Sequence, residues 1–239
     1  MTKDEFEIIQ GLIDDRITEF EKTSEQLSVY TIKDAMNELF LEEEQFKDIC
    51  STLKYKKNII LQGPPGVGKT FIAKRIANYI MKFRDPSKIE MVQFHQSYSY
   101  EDFIQGIRPN GEGGFVLKKG VFMDLCEKAA SDKSNSYFMI IDEINRGNLS
   151  KIFGELMMLI ENDKRGISIS LTYSEEGEKF YIPENLYIIG TMNTADRSLA
   201  MVDYALRRRF SFIDMLPVFH GRFESYMKSQ GVDLSLIHI

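Results

Sequence analysis

Cysteine is scarce: Cys50 and Cys126 are the only two in 239 residues, far apart and without a companion Cys or His at metal-ligand spacing. That excludes a disulfide framework and a zinc site, and it leaves both thiols as small apolar core side chains. The histidines His95, His220 and His238 are equally scattered and are assigned no catalysis. A positive surplus is lacking too. The formal net charge of −6 argues against a surface that holds nucleic acid mainly through bulk charge, although local basic spots fit within it. No apolar run reaches membrane-spanning length, and residues 1–10 carry acidic side chains where a signal peptide would begin basic. These absences lead us to expect a cytoplasmic protein that does not meet a membrane.

What is present is ordinary for a globular protein, with 43% hydrophobic and 28% charged residues, enough for one sizeable core and too little chain for two full-size domains. Residues 4–41 show apolar positions at helical spacing, which predicts two or three short helices as a lead-in. Strands are expected at 58–61, 90–95, 137–141, 186–190 and 210–213, and helices at 70–81, 121–130, 149–161 and 200–206. The stretch 111–120 holds four glycines around Phe115, Val116 and Leu117 and predicts a hairpin. A second hairpin is expected from 167–173 and 179–182 around Glu176-Gly177, inserted before the fourth core strand. Strands alternating with helices indicate an α/β protein, a three-layer α/β/α sandwich on a parallel sheet.

Gly63-Pro64-Pro65-Gly66-Val67-Gly68-Lys69-Thr70 matches the P-loop pattern in full and lies between an expected strand and an expected helix. Glycines let the backbone approach a phosphate, and the helix N-terminus adds a favourable partial charge. Lys69 would then contact the β- and γ-phosphates, and Thr70 would hold Mg²⁺. Asp142 and Glu143 close an apolar strand, which places two carboxylates at the carboxyl edge where α/β proteins bind ligands. Asp142 is the candidate metal residue and Glu143 the candidate for polarising an attacking water. Asn193 follows another buried strand and can reach the same edge; the neighbouring Asp196 or Ser198 can also cap the next helix. Arg207, Arg208 and Arg209 precede the last strand, either as solvated surface, as a patch for nucleic-acid phosphates, or as guanidinium groups facing a neighbouring subunit's nucleotide.

These residues resemble AAA+ proteins of the McrB type, the motor subunit of a modification-dependent restriction system. The similarity runs over 30–217. It rests on the P-loop, on Phe94-His95-Gln96-Ser97-Tyr98-Ser99-Tyr100-Glu101-Asp102-Phe103, on Asp142-Glu143-Ile144-Asn145-Arg146-Gly147-Asn148, and on Met192 to Ser198. The resemblance implies Mg²⁺-dependent hydrolysis of GTP in preference to ATP, a hexameric ring, a McrC-type nuclease partner, and DNA engaged through the assembled complex. It matches Asn193 to the sensor asparagine, Asp196 and Arg197 to a signature pair near the subunit interface, and Arg208 and Arg209 to fingers acting in trans, with Arg207 a weaker match. Three parts are expected: a helical lead-in at 1–29, the NTPase core at 30–217, and at 218–239 either the start of a truncated helical lid or a non-native tail. About thirty residues precede the core, too few for the family's DNA-reading module. Two other functions compete: an ATP-dependent protein remodeller of the MoxR type, and a nucleotide-dependent scaffold with little turnover.

Overall fold

The computed structural model describes residues 28–111, 113–174, 177–195, 207–218 and 221–230. Its first helix, α1 (Ile32–Glu38), opens with a capping box, in which the Thr31 amide donates to Asp34 Oδ2 at 2.7 Å and the Asp34 amide to Thr31 Oγ1 at 3.4 Å. In α2 (Glu43–Lys56), Phe46, Ile49, Cys50 and Leu53 form one buried stripe, with acidic residues in the first turn and basic ones in the last, as the helix dipole favours. Then come β1 (Asn58–Gly63), α3 (Lys69–Met81), β2 (Ile89–Gln93) and the short α4 (Tyr100–Phe103). β3 (Gln105–Pro109) and β4 (Phe115–Lys119) pair as an antiparallel hairpin apart from the main sheet. The remainder is α5 (Val121–Ser131), β5 (Tyr137–Asp142), α6 (Leu149–Phe153), β6 (Leu186–Asn193), β7 (Ser211–Asp214) and α7 (Arg222–Ser229).

Five of these strands form one sheet in the order β2-β5-β6-β1-β7, every pair parallel. β5 and β6 lie inside it, covered on both faces, which is why their sequences are continuous apolar runs rather than alternations. Ile59, Leu61, Phe138, Ile140 and Ile189 pack on the α1–α3 side. Ile60, Met139, Ile141 and Ile188 pack on the α5 and α6 side. The expected three-layer α/β/α core is thus present. α1 is fastened to α3 by Glu38, a buried carboxylate paired with Arg75 at 2.7 Å and with Arg84, and receiving the Tyr30 hydroxyl at 3.3 Å. No described helix is long and apolar enough to cross a membrane.

Several local expectations need correction. The helix expected over 149–161 stops at Phe153 and continues as 3-10 turns. Gly154, at φ +49°, bends away under the Tyr100 ring, while the Tyr100 hydroxyl and the Thr172 amide both donate to Glu155 at 2.9 Å, so tertiary contacts override helical spacing. The hairpin expected from 167–173 and 179–182 shrinks to one bridge, Ile169 with Phe180. Its ladder does not propagate because the Leu171 and Thr172 amides are taken by Ser174 and Glu155 side chains. The glycine-rich hairpin does form, but its first strand is β3, ahead of the glycines, which make the turn. α2 lies beyond the lead-in expected to end at residue 41. The helix expected over 200–206 and the lead-in over 4–27 fall outside the described residues. In the C-terminal part, α7 docks Phe223 and Tyr226 against Phe40, with ring centroids 5.2 and 5.5 Å apart.

Candidate active site

β1 carries Gly63 to the carboxyl edge of the sheet, in register with Asn193 of β6. A Cβ there would lie 2.2 Å from the Met215 carbonyl oxygen, so only glycine lets these backbones meet. Gly66 and Gly68 take left-handed backbones, φ +85° and +76°, of the kind that anion-binding nests use, and a Cβ on Gly66 would meet nothing within 4 Å. Helix α3 begins at Lys69, directly after this turn, so its unsatisfied amides and partial positive charge face the loop. The Lys69 ammonium donates to the Gly63 and Pro64 carbonyls at 3.0 and 2.8 Å. Burial pushes its pKa below the usual lysine range, and Glu143 and Asp142 oppose that shift by their charge.

Asp142, the last residue of β5, turns a carboxylate oxygen into a cluster of hydroxyls. Its Oδ1 accepts from Thr70 Oγ1 at 2.8 Å and from the Thr191 hydroxyl. Thr191 in turn accepts the Glu143 amide at 3.3 Å. Among the described residues Glu143 is one of three non-glycine residues with a left-handed backbone, φ +50°, a conformation that costs about 1–2 kcal/mol. It is held there by Thr191 and by the Arg146 amide, which donates to the Glu143 carbonyl at 2.8 Å. Such strain at a strand end fits a residue whose placement serves a site. Glu143 Oε2 is buried and accepts no hydrogen bond among the described residues; Arg146 Nε lies 3.4 Å away as an ion pair without hydrogen-bond geometry. An acceptor of that kind suits a water or substrate hydroxyl.

The donor set also fits Mg²⁺. Among the described residues no group of three or more His, Cys, Asp and Glu could hold a metal by itself. Mg²⁺ does not ask for one, since it is held by one or two protein oxygens together with water and substrate phosphates. Thr70 Oγ1 and Asp142 Oδ1, 2.8 Å apart beside the phosphate loop, are the oxygens that would hold it.

Asn193 sits at the same edge. Its Oδ1 accepts the Ala195 amide at 3.2 Å, and the Thr194 amide donates to the Gly63 carbonyl at 3.1 Å, which stitches this segment to the P-loop. Asp196 and Arg197 lie outside the described residues. The structure therefore brings together Gly63 through Thr70, Asp142, Glu143 and Asn193. It adds Thr191, one residue ahead of the Met192–Ser198 motif and given no role by the sequence.

The arginines are elsewhere. They precede β7, and the Arg209 carbonyl accepts from Asn58 at the first position of β1, five residues or roughly 16 Å before Gly63 at the carboxyl edge of the same sheet. Arg207 is exposed, the Arg208 side chain is 62% exposed, and that of Arg209 only 11%. Both of the last two approach Glu161 Oε1, Arg209 at 3.0 Å and Arg208 at 3.5 Å. The pair that the resemblance treats alike is thus unequal.

A family model described as the AAA domain of the dynein-related subfamily matches residues 58–210. The chain is 57% identical over 212 residues to the type IV methyl-directed restriction enzyme EcoKMcrB subunit of Escherichia coli (strain K12), covering 87% of this chain and 46% of that protein. It is 28% identical over 194 residues to the type II restriction enzyme BsuMI component YdiS of Bacillus subtilis (strain 168), covering 65% of this chain and 56% of that protein. A proteasome-associated ATPase of Mycobacterium bovis (strain BCG / Pasteur 1173P2) is 28% identical over 178 residues, 74% of this chain and 27% of that protein. The chain spans about half the length of the two restriction relatives it matches.

Proposed function

Because this chain belongs to the AAA domain family, dynein-related subfamily, and is a P-loop NTPase, we propose that it is the motor core of a McrB-type restriction complex. It hydrolyses GTP in preference to ATP, assembles head to tail into a hexameric ring in the cytoplasm, and moves DNA for a McrC-type nuclease. The observation that carries the proposal is the meeting of Thr70, Asp142 and Thr191 hydrogen-bonding groups beside the Lys69 ammonium at the mouth of the P-loop. The biological role comes from the relatives, two of which are components of restriction enzymes, and this favours restriction over protein remodelling.

Each residue then has a defined share of the chemistry. The loop amides and Lys69 would bind and orient the triphosphate, Thr70 and Asp142 would hold Mg²⁺, and Glu143 would take the proton of the attacking water while Asn193 helps to fix that water. Bound Mg²⁺ supplies charge neutralisation on the phosphate oxygens. Arg208 and Arg209 stand before β7, at the opposite end of the sheet from the P-loop and too far to serve their own chain's nucleotide, which supports action across a ring interface, as does the resemblance for Asp196 and Arg197. Turnover of Mg·GTP should rise steeply with protein concentration as rings form, exceed turnover of Mg·ATP, and vanish in Lys69→Ala through lost phosphate binding. A Lys69→Ala protein with undiminished turnover would remove the assignment, and flat, near-zero turnover with tight binding would favour a scaffold.

A further inference from the structure

Glu161 belongs to no motif, yet it is the carboxylate shared by the two arginines expected to act in trans. Resting on that reading, we propose that Glu161 is a positioning residue: it fixes Arg209 and thereby sets the reach of Arg208 toward the triphosphate of a neighbouring copy of this chain. The inequality of the two ion pairs is the starting point. Arg209, 11% exposed and 3.0 Å from a carboxylate that is itself 24% exposed, is partly desolvated, so the attraction is little screened. Arg208, 62% exposed and at 3.5 Å, makes the kind of surface contact that contributes little and lets go readily.

The backbone reinforces this division. Asn58, wholly buried at the first position of β1, donates from one amide nitrogen to the Ile160 carbonyl at 2.6 Å and to the Arg209 carbonyl at 3.1 Å. Its oxygen accepts from Arg165 Nη2 at 2.7 Å. The residue before Glu161 and the backbone of Arg209 are therefore clamped to one side chain of the strand that leads into the P-loop. Between those two clamps the Glu161–Arg209 pair has little freedom to separate. Arg208, next in the chain to an anchored residue and mostly in solvent, is the guanidinium able to leave for a neighbour. Glu161 acts only through this geometry.

The test is a double-mutant cycle on the full chain with Glu161→Ala, Arg208→Ala and the two combined, followed by steady-state GTP turnover at ring-forming concentration, nucleotide affinity and thermal midpoint. Glu161→Ala should lower kcat by about tenfold and leave KM and nucleotide affinity within about twofold. In the Arg208→Ala background it should lower kcat no further. Glu161→Gln, which keeps an acceptor of the same shape, should recover part of the loss. Independent, multiplying losses, or a Glu161→Ala protein that also loses nucleotide binding, would overturn the proposal. So would normal turnover of Glu161→Ala and Glu161→Gln beside a crippled Arg208→Ala, an outcome that leaves the trans-arginine reading standing. If Arg208→Ala itself turns over normally, that reading falls and the role of Glu161 with it.

Discussion

Replacing Thr191 by valine removes one hydroxyl and almost no volume from a position that is 1% exposed. Two bonds go with it: the one donated to the Asp142 carboxylate and the one accepted from the Glu143 amide. A hydrogen bond to a charged group contributes about 1.5–3 kcal/mol, and an orphaned buried donor costs about 1–3 kcal/mol. Glu143, whose left-handed backbone depends on that amide bond, also loses one of its two restraints. Allowing for overlap, Thr191→Val should destabilise the protein by about 3 kcal/mol, a fall of roughly 6–12 °C in thermal midpoint for a domain of this size. Among the described residues Asp142 then keeps only the Thr70 hydroxyl to orient it, and loss of such a supporting bond commonly weakens metal affinity ten- to a hundredfold, so the Mg²⁺ concentration for half-maximal turnover should rise by about tenfold. Calorimetry and a Mg²⁺ titration of turnover measure the two effects, with Thr191→Ser, which keeps the hydroxyl, as the near-neutral control. A valine protein that melts and responds to Mg²⁺ as the parent does would refute the role given to this hydroxyl.

Gly63→Ala places a methyl 2.2 Å from the Met215 carbonyl, backbone against backbone, so the edge of β1 must move. We expect a loss of about 2 kcal/mol or more together with weakened nucleotide binding, read by melting and by titration with a fluorescent nucleotide. Asp132 offers a pH test away from the site. Asn135 donates to both of its oxygens at 2.9 Å, and Ser134, Tyr137 and Lys88 add further contacts, which lower its pKa to about 2. For a carboxylate depressed in the folded state, the stabilisation is complete above the ordinary value and is lost as pH falls from about 3.8 toward 2. Carboxyl NMR titration should therefore show a midpoint near 2 that moves up in Asn135→Ala; an unmoved midpoint would remove Asn135 as the chief cause.

Much of the fold is legible in the sequence because its signals are local. The continuous apolar run ending in Asp142 and Glu143 reads as a buried strand, and the glycine-rich turn between a strand and a helix announces its phosphate site. The stripe Phe46, Ile49, Cys50, Leu53 has helical spacing, yet it lies past the lead-in and no helix is expected there. What escapes such a reading depends on partners distant in the chain. The bend at Gly154 follows from Tyr100, and the failed ladder after Ile169 follows from Glu155 drawing the Thr172 amide away. Thr191 gains its role only because the β5–β6 register sets Ile141 beside Gly190 and so brings the next pair, Asp142 and Thr191, together. Likewise three adjacent arginines look equivalent until Glu161 anchors one and leaves its neighbour exposed.

At the centre of this account, one cleft formed by the P-loop, Asp142 and Glu143 both binds and cleaves a magnesium nucleotide. Glu143→Gln tests that most directly, since the amide keeps shape and cannot take a proton. Binding of Mg·GTP measured by titration should match the parent, while single-turnover hydrolysis should fall by roughly a hundredfold or more. Cleavage at the parental rate by the Glu143→Gln protein would contradict the account.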